Sequence, residues 1–576
     1  MNRTNKPAAL TIAHINDTHS YFEPSTMQLH LCVNGKQVSP FVSVGGFARI
    51  ANRIGQLREK AQQDQRKLLF LHAGDCFQGT LYFSLFKGEA NAELLNALAP
   101  DAMVVGNHEL DMGNAPVADF LDQIDFPMLA SNWDLSTEQS SKTNPLSTKA
   151  NLVSYQADSG VGGWLTYDVD GEPVALFGLS LDKMAEISNP DSDTPFLNAK
   201  MVAEQTVNAI RAEGINKIIL LSHLGYEEDQ LLASQVDGIS LIVGGHSHQL
   251  QGDFSELGFA MQDPYGVVVG STRIVQAGCY AQFMGHCEID FAADGSVTHF
   301  AGRNELLVGR RLGMDASLEE LVDDAVYELT QKQIYAHPNV VRCTKDPAVK
   351  AILDNKYRPR VNDIKAQVVG VAPVALRHVR IPDHNGPSQL GPLVAESFYQ
   401  AMNKLGHQVD FAVHNAGGIR NSLAAGNITV DDIAGKILPF AIPVGTYDIQ
   451  GQYLQQMLEG AINNATGNGV NGTGSGSYPY THNLRFDYLA EAPMGQRIVS
   501  LQMFRDGEWH PVEADTVYRG SSTAYTMKGK EGYFAILNME GDGHSSTHSM
   551  ADCFIDFLKT TSDLFERTPL AWQQSC

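Results

Sequence analysis

Cysteine is scarce in this chain of 576 residues: seven are scattered along it (Cys32, Cys76, Cys279, Cys287, Cys343, Cys553 and Cys576) and no two stand as C-x-x-C. So sparse and odd a set excludes a disulfide scaffold and a cysteine-rich zinc site, and suits a reducing compartment. Long apolar runs are also missing. With no stretch of roughly 18 apolar residues, no transmembrane helix is expected. Basic residues are few, 41 against 65 acidic ones, for a formal net charge of −24. Such a surface repels nucleic-acid backbones, so a polymer partner is excluded, whereas a small anionic substrate remains admissible where bound cations invert the local field. Near the start, Arg3 and Lys6 precede no apolar stretch of signal-peptide length. As it stands the chain is expected in the cytoplasm, and in the periplasm or outside the cell if a leader precedes it.

What is present suits a large globular protein: 43% hydrophobic and 18% charged residues, over a length that calls for two or more domains. Through the first 300 or so residues one rhythm recurs, a short apolar run followed by a turn dense in Gly, Asp, Asn or His. The runs are 8–15, 68–72, 102–105, 128–130, 174–179, 217–221 and 239–243, each fitting a buried strand. Helical patterns at 47–62, 91–98 and 200–213 alternate with them, which implies an α/β layered domain. Residues 317–335 carry Leu318, Leu321, Val322, Ala325 and Leu329 at helical spacing and run into His337-Pro338, so they read as a connector. A second domain follows, with apolar runs at 368–376 and 411–414 and a Gly-, Asn- and Ser-rich stretch at 465–477 of mobile-loop composition.

The polar turns carry the chemistry. In order they are Asp17-Thr18-His19, Gly74-Asp75, Gly106-Asn107-His108-Glu109, Ser222-His223 and Gly245-His246-Ser247-His248. Each closely follows a strand-like run, so donors from five loops converge at one edge of a sheet, where open α/β sheets bind ligands. Mixed oxygen and imidazole donors suit Zn, Mn or a similar transition metal better than Ca or Mg. Two cations sharing a carboxylate clamp a phosphoryl group while generating hydroxide. Asp111, three residues after His108, is placed to orient its imidazole and raise its pKa, fitting His108 to stabilise phosphoryl charge or protonate a departing alkoxide. Cys76, His14 and His72 read as packing residues.

This motif series resembles the calcineurin-like metallophosphoesterase superfamily. Within it, Asn107-His108-Glu109-Leu110-Asp111 and the second half together resemble the 5′-nucleotidase family, which includes UDP-sugar hydrolases. The resemblance covers nearly the whole chain. It implies a four-layer α/β/β/α metallophosphoesterase domain at 1–312, a helical linker at 313–344 and an α/β substrate-binding domain at 345–576. It also implies two divalent cations, one on Asp17, His19 and His248, the other on Asn107, His223 and His246, with Asp75 bridging and His108/Asp111 as the catalytic dyad. The last ligand is often Gln or Asn in 5′-nucleotidases and is His248 here.

In the second half, His414-Asn415-Ala416-Gly417-Gly418-Ile419-Arg420 resembles the family's Asn-Gly-Gly-Gly-Ile-Arg element, whose Asn and Arg help bind substrate. Ser388-Gln389-Leu390-Gly391 resembles another landmark, with Arg377 or Arg380 upstream as a phosphate contact. Phe440 matches the residue that stacks on the nucleobase, and Asp542 the one that contacts the nucleoside. Ile536 stands where a second stacking Phe is usual, with Tyr533 and Phe534 nearby. The resemblance thus implies hydrolysis of nucleoside monophosphates or related nucleotides. A 2′,3′-cyclic-nucleotide phosphodiesterase/3′-nucleotidase, a UDP-sugar hydrolase and a non-catalytic nucleotide-binding protein are the alternatives, and monomer and homodimer both stay open.

Overall fold

The computed structural model describes residues 5–313, 318, 324–440, 442–466 and 474–561, the side chains of Asp324 and Asp542 excepted. It contains two compact units. One takes in the chain up to Gln78 and from Phe86 to Arg358; the other holds Gly79–Leu85 and the chain from Pro359 onward.

The first unit is built on two sheets. In one, Ala8–Ile15, Lys67–His72, Ala102–Val104, Met128–Ala130 and Leu152–Gln156 run parallel. Its other half is antiparallel, Phe283–Phe291 pairing with Ala8–Ile15 and Val297–Gly313 pairing next. In the second sheet Glu172–Ser180, Lys217–His223, Leu241–Val243 and Thr272–Val275 are parallel. Alternation along each strand decides what meets what. Leu10, Ile12, Leu69, Leu71, Val104 and Leu129 of the first sheet interdigitate with Val174, Leu176, Ile219, Leu221, Leu241 and Val243 of the second. The opposite face of the second sheet, with Phe177, Ile218, Leu220 and Ile242, is covered by the helices Ala199–Ala212 and Tyr226–Gln235. The helix Phe47–Gln63 packs on the first sheet's outer side, against Lys67–His72. This is the expected four-layer order, and it explains the unbroken apolar runs: strands covered on both faces have no solvent side. Truncating a Leu to Ala in such a core costs about 2–5 kcal/mol.

Of the segment read as a connector, Leu318 and the helix Asp324–Ala336 are described, and Leu321 and Val322 lie outside the described residues. Ile334 of this helix packs with Leu29, Leu31 and Val340, inside the first unit.

The second unit centres on a five-stranded sheet in the order Pro479–His482, Phe411–Asn415, Val517–Thr523, Pro443–Gln450, Glu540–Ser549. Helix Gly451–Ala465 closes a core of Phe411, Val413, Ile449, Leu454, Met457, Leu458 and Ile462. Helices Gly391–Lys404 and Met550–Thr560 pack on one another. Ser549 opens the latter with a capping box, its hydroxyl taking the Asp552 N–H while Asp552 takes that of Ser549. Residues 467–473 of the Gly/Asn/Ser-rich stretch lie outside the described residues, and Gly474–Ser477 forms a tight turn. No helix among the described residues is long and apolar enough to cross a membrane, and their six cysteines are free thiols.

Candidate metal centre and substrate residues

The ligand-bearing turns all leave the C-terminal ends of parallel strands. Backbone hydrogen bonds lock the first two together. Asp17, His19 and Ser20 donate their N–H groups to the carbonyls of Gly74 (2.9 Å), Asp75 (3.0 Å) and Cys76 (3.0 Å). His72 sits between these turns, its Nε2 3.0 Å from the Thr18 hydroxyl and its Nδ1 accepting the Gly74 N–H at 3.2 Å. Burial pushes this imidazole down to about 4, so it stays neutral as the arrangement requires. His72 is thus buried, as expected, but it also clasps the two turns.

Six residues around the site hold left-handed backbone: Asp17 (φ 48°), His19 (46°), Ser20 (56°), Asp75 (59°), His246 (71°) and His248 (57°). Five of the six are proposed ligands, and each such conformation costs about 1–3 kcal/mol. Close packing adds a further demand. A Cβ on Gly106 would strike the backbone and carboxylate of Asp75, and one on Gly74 the imidazole of His223.

Two donor groups result, Asp17/His19/His248 and Asp75/His223/His246. In the first, His248 Nε2 lies 3.2 Å from His19 Nε2 and 3.4 Å from Asp17 Oδ1. In the second, His223 Nε2 lies 3.2 Å from Asp75 Oδ2, and Asn107 Oδ1 is 3.2 Å from it and 2.9 Å from His246 Nδ1. The two adjoin where the His246 N–H donates to both Asp17 oxygens at 3.0–3.1 Å. All seven predicted ligands are therefore brought together.

The donor set fits divalent cations. Asp17 and Asp75 are fully buried yet held below the usual carboxylate range: burial works the other way, and their imidazole neighbours His248 and His223 outweigh it. Reciprocally, burial would lower His223 and His248, but Asp75 drives the former up to about 10, and hydrogen bonds that His248 donates to Asp17 and Cys279 drive the latter to about 11. His223 and His19 also direct Nδ1 to the carbonyls of Ala73 (2.7 Å) and Phe77 (3.2 Å). That bond fixes the tautomer that turns an Nε2 lone pair to the centre.

His108 and Asp111 pair as the sequence suggests, Nδ1 to Oδ2 at 2.6 Å. Burial lowers the imidazolium, but the carboxylates of Asp111 and Asp75 prevail and push it up to about 9. Three residues that the sequence reading passed over complete this corner. Ser188 Oγ lies 2.6 Å from the Asn107 carbonyl and 3.1 Å from Asp111 Oδ1, while Asn189 donates to the Asp111 carbonyl at 2.6 Å. Glu109, quoted within its motif without a role, accepts backbone N–H groups from Asp75 (3.0 Å), Cys76 (2.7 Å), Phe77 (3.0 Å) and Gly106 (2.7 Å). Cys76 itself is buried, with its thiol pushed well up by burial.

In the second unit, Asn415 ends the strand Phe411–Asn415 and donates to Glu531 at 2.9 Å. The Arg420 guanidinium lies over the half-buried Phe440 ring, 5.6 Å from its centroid, so these two predicted residues do meet. Arg377 is committed to its own loop, bonded to the Gly386 carbonyl (3.2 Å) and paired with Asp383, whereas Arg380 is exposed. Asp542 lies on the strand Glu540–Ser549, its side chain outside the described residues. Of the aromatics near Ile536, Tyr533 is buried with its hydroxyl on the Ser477 carbonyl (2.9 Å), and Phe534 is 54% exposed.

Comparison with known proteins now bears on this geometry. A calcineurin-like phosphoesterase family model matches residues 10–250, and a model described as 5′-nucleotidase, C-terminal domain, matches residues 368–538. A probable 5′-nucleotidase of Treponema pallidum is 30% identical over 91% of this chain and 87% of its own length. The chain belongs to the 5′-nucleotidase family. An NAD 5′-nucleotidase of Haemophilus influenzae is 29% identical over 97% of this chain and 91% of that one. The crystal structure of a 5′-nucleotidase precursor from Thermus thermophilus superposes with a TM-score of 0.69 at 29% identity, covering 96% of both chains. This member of the 5′-nucleotidase family is accordingly a two-domain α/β protein with a calcineurin-like N-terminal part and a 5′-nucleotidase C-terminal part.

Proposed function

We propose that this chain is a metal-dependent phosphoester hydrolase that releases phosphate from nucleoside 5′-monophosphates or related nucleotides. The observation that carries the reading is the His108–Asp111 pair standing against two largely buried Asp/His donor groups, with the His108 ring 5.1 Å from that of His19 between centroids. Asp17, His19 and His248 would hold one divalent cation and Asn107, His223 and His246 the other, with Asp75 shared. Cations bound there supply Lewis acidity to the phosphoryl oxygens and acidify water; zinc and manganese both suit the donors.

The chain's own residues do the rest. Asp111 holds the His108 ring through Nδ1 and keeps it protonated at neutral pH. The imidazolium donates a hydrogen bond to a phosphoryl oxygen as negative charge grows, and gives its proton to the departing 5′-alkoxide. Catalysis is assigned to the first unit and substrate binding to the second, which begins its main run at Pro359. In the latter, Asn415 and Arg420 bind the nucleotide's polar groups, Phe440 stacks on the base and Asp542 takes the nucleoside. Of the two candidate phosphate contacts we favour Arg380, because Asp383 already engages Arg377.

The test is phosphate release from AMP by the purified chain supplied with Mn or Zn, run beside 2′,3′-cyclic AMP and a UDP-sugar. Turnover of AMP that falls at least about 100-fold in His108→Ala supports the reading, in line with the usual worth of a general acid. Preferred turnover of either other ester, or turnover indifferent to His108, contradicts it.

A further inference from the structure

Beside the metal centre, within the first unit, lies a cavity of about 190 Å³ that the proposed chemistry does not use. His248 lines it, and the ring of this residue meets Asp17 and His19 through Nε2. Leu250, Phe254, Phe259 and Ala260 supply the apolar lining. The other polar residues are Gln249 and Gln262, whose side chains hydrogen-bond to each other at 2.7 Å. Phe254 is rigidly seated, its ring 5.5 Å from Phe283 and 5.8 Å from Phe259. An apolar cavity of about 150 Å³ already accommodates benzene, so this one has room for a single aromatic ring.

We infer that this cavity is a binding subsite for an aromatic substituent carried by the same phosphorus atom that the metal centre engages. The inference rests on the proposed function for where the phosphorus sits. That function gives the nucleobase to Phe440, so the ring taken here belongs to a second substituent. The substrate class so defined is nucleoside 5′-phosphodiesters with an aromatic second ester group. In their hydrolysis the water oxygen joins phosphorus, the bond between phosphorus and the aryl-ester oxygen breaks, and the departing phenolate takes a proton of the water, leaving the nucleoside 5′-monophosphate. The apolar walls would bind the ring by removing it from water.

The first arm of the test needs no turnover. Calorimetric binding of phenylphosphonate and methylphosphonate to the Mn-loaded full chain should favour the phenyl compound at least tenfold. That preference should vanish in Ala260→Trp and, independently, in Gln262→Trp, each of which fills the cavity from its rim. Equal affinities in the parent chain, or a preference that survives both fillings, would overturn the subsite. In the second arm, the ratio of p-nitrophenyl thymidine 5′-phosphate turnover to AMP turnover should fall at least tenfold in the same variants; an unchanged ratio contradicts the substrate class. A chain that turns over neither ester refutes the proposed function, while the phosphonate comparison still decides the cavity.

Discussion

The Glu109 carboxylate accepts the backbone N–H of Asp75 at 3.0 Å, and through its other oxygen those of Cys76 and Phe77 at 2.7 and 3.0 Å. One buried side chain therefore ties the turn that carries Asp75 to the turn that carries Asn107 and His108. The Gly106 N–H, also bonded to Glu109, completes the clasp from the second side.

Replacing Glu109 by Gln substitutes an amide NH₂ for one acceptor oxygen and leaves buried N–H donors facing it. Each unsatisfied buried group costs about 1–3 kcal/mol, so E109Q should lower unfolding free energy by about 2–4 kcal/mol and weaken cation binding. Denaturant midpoints and metal content of the purified variant check this. Stability within about 0.5 kcal/mol of the parent would deny Glu109 its clasping role.

Gly106→Ala places a methyl group against the Asp75 carboxylate and backbone. The turn must shift, so metal analysis should find a clear loss of bound cation, larger than for Gly55→Ala, where nothing lies within reach of a Cβ. Comparable metal content in the two variants would contradict the packing argument.

His414, in the second unit, lies under Gly418 and edge-on to Phe398, 5.2 Å between centroids, with neither ring nitrogen hydrogen-bonded. Burial, reinforced by His378, pushes it down to about 3. Its folded value lies below the unfolded one of about 6.5, so the unfolded state binds the extra proton between them and stability falls as pH drops through that window. Between pH 7 and 5 the parent should lose about 2 kcal/mol more than His414→Leu. Parallel pH slopes would refute it.

His108 runs the opposite way. Its value is raised to about 9, so the protonated form persists through neutral pH and is lost as pH rises through that value. In the pH profile of kcat, Asp111→Asn should move the alkaline limb down by more than one pH unit, because the carboxylate that holds the proton is gone. A limb that stays in place would remove Asp111 from this role.

The convergence of these turns was largely legible because parallel strands covered on both faces leave unbroken apolar runs, and the turns at their ends announce themselves by Asp, Asn, His and Gly. The antiparallel strands Phe283–Phe291 and Val297–Gly313 were not read, since the first alternates buried with half-buried positions and the second begins exposed. Glu109 gave no signal of its work, because three of its four partners are backbone groups some thirty residues away. The assignment of Tyr533 to the core and of Phe534 to the surface depends on the turn at Phe534–Asn538 and the Ser477 carbonyl, which no local pattern reveals. Likewise the Arg377–Asp383 pair forms across a loop whose course is set by tertiary packing.

The central claim is that two buried Asp/His groups and the His108–Asp111 pair act together on a nucleotide phosphate. The most direct test measures bound cation and AMP turnover on the same samples of parent and His108→Ala. Two divalent cations per chain are expected in both, with a kcat lower by at least about 100-fold in the variant. A parent that binds no divalent cation, or a variant that turns over AMP as fast as the parent, would contradict it.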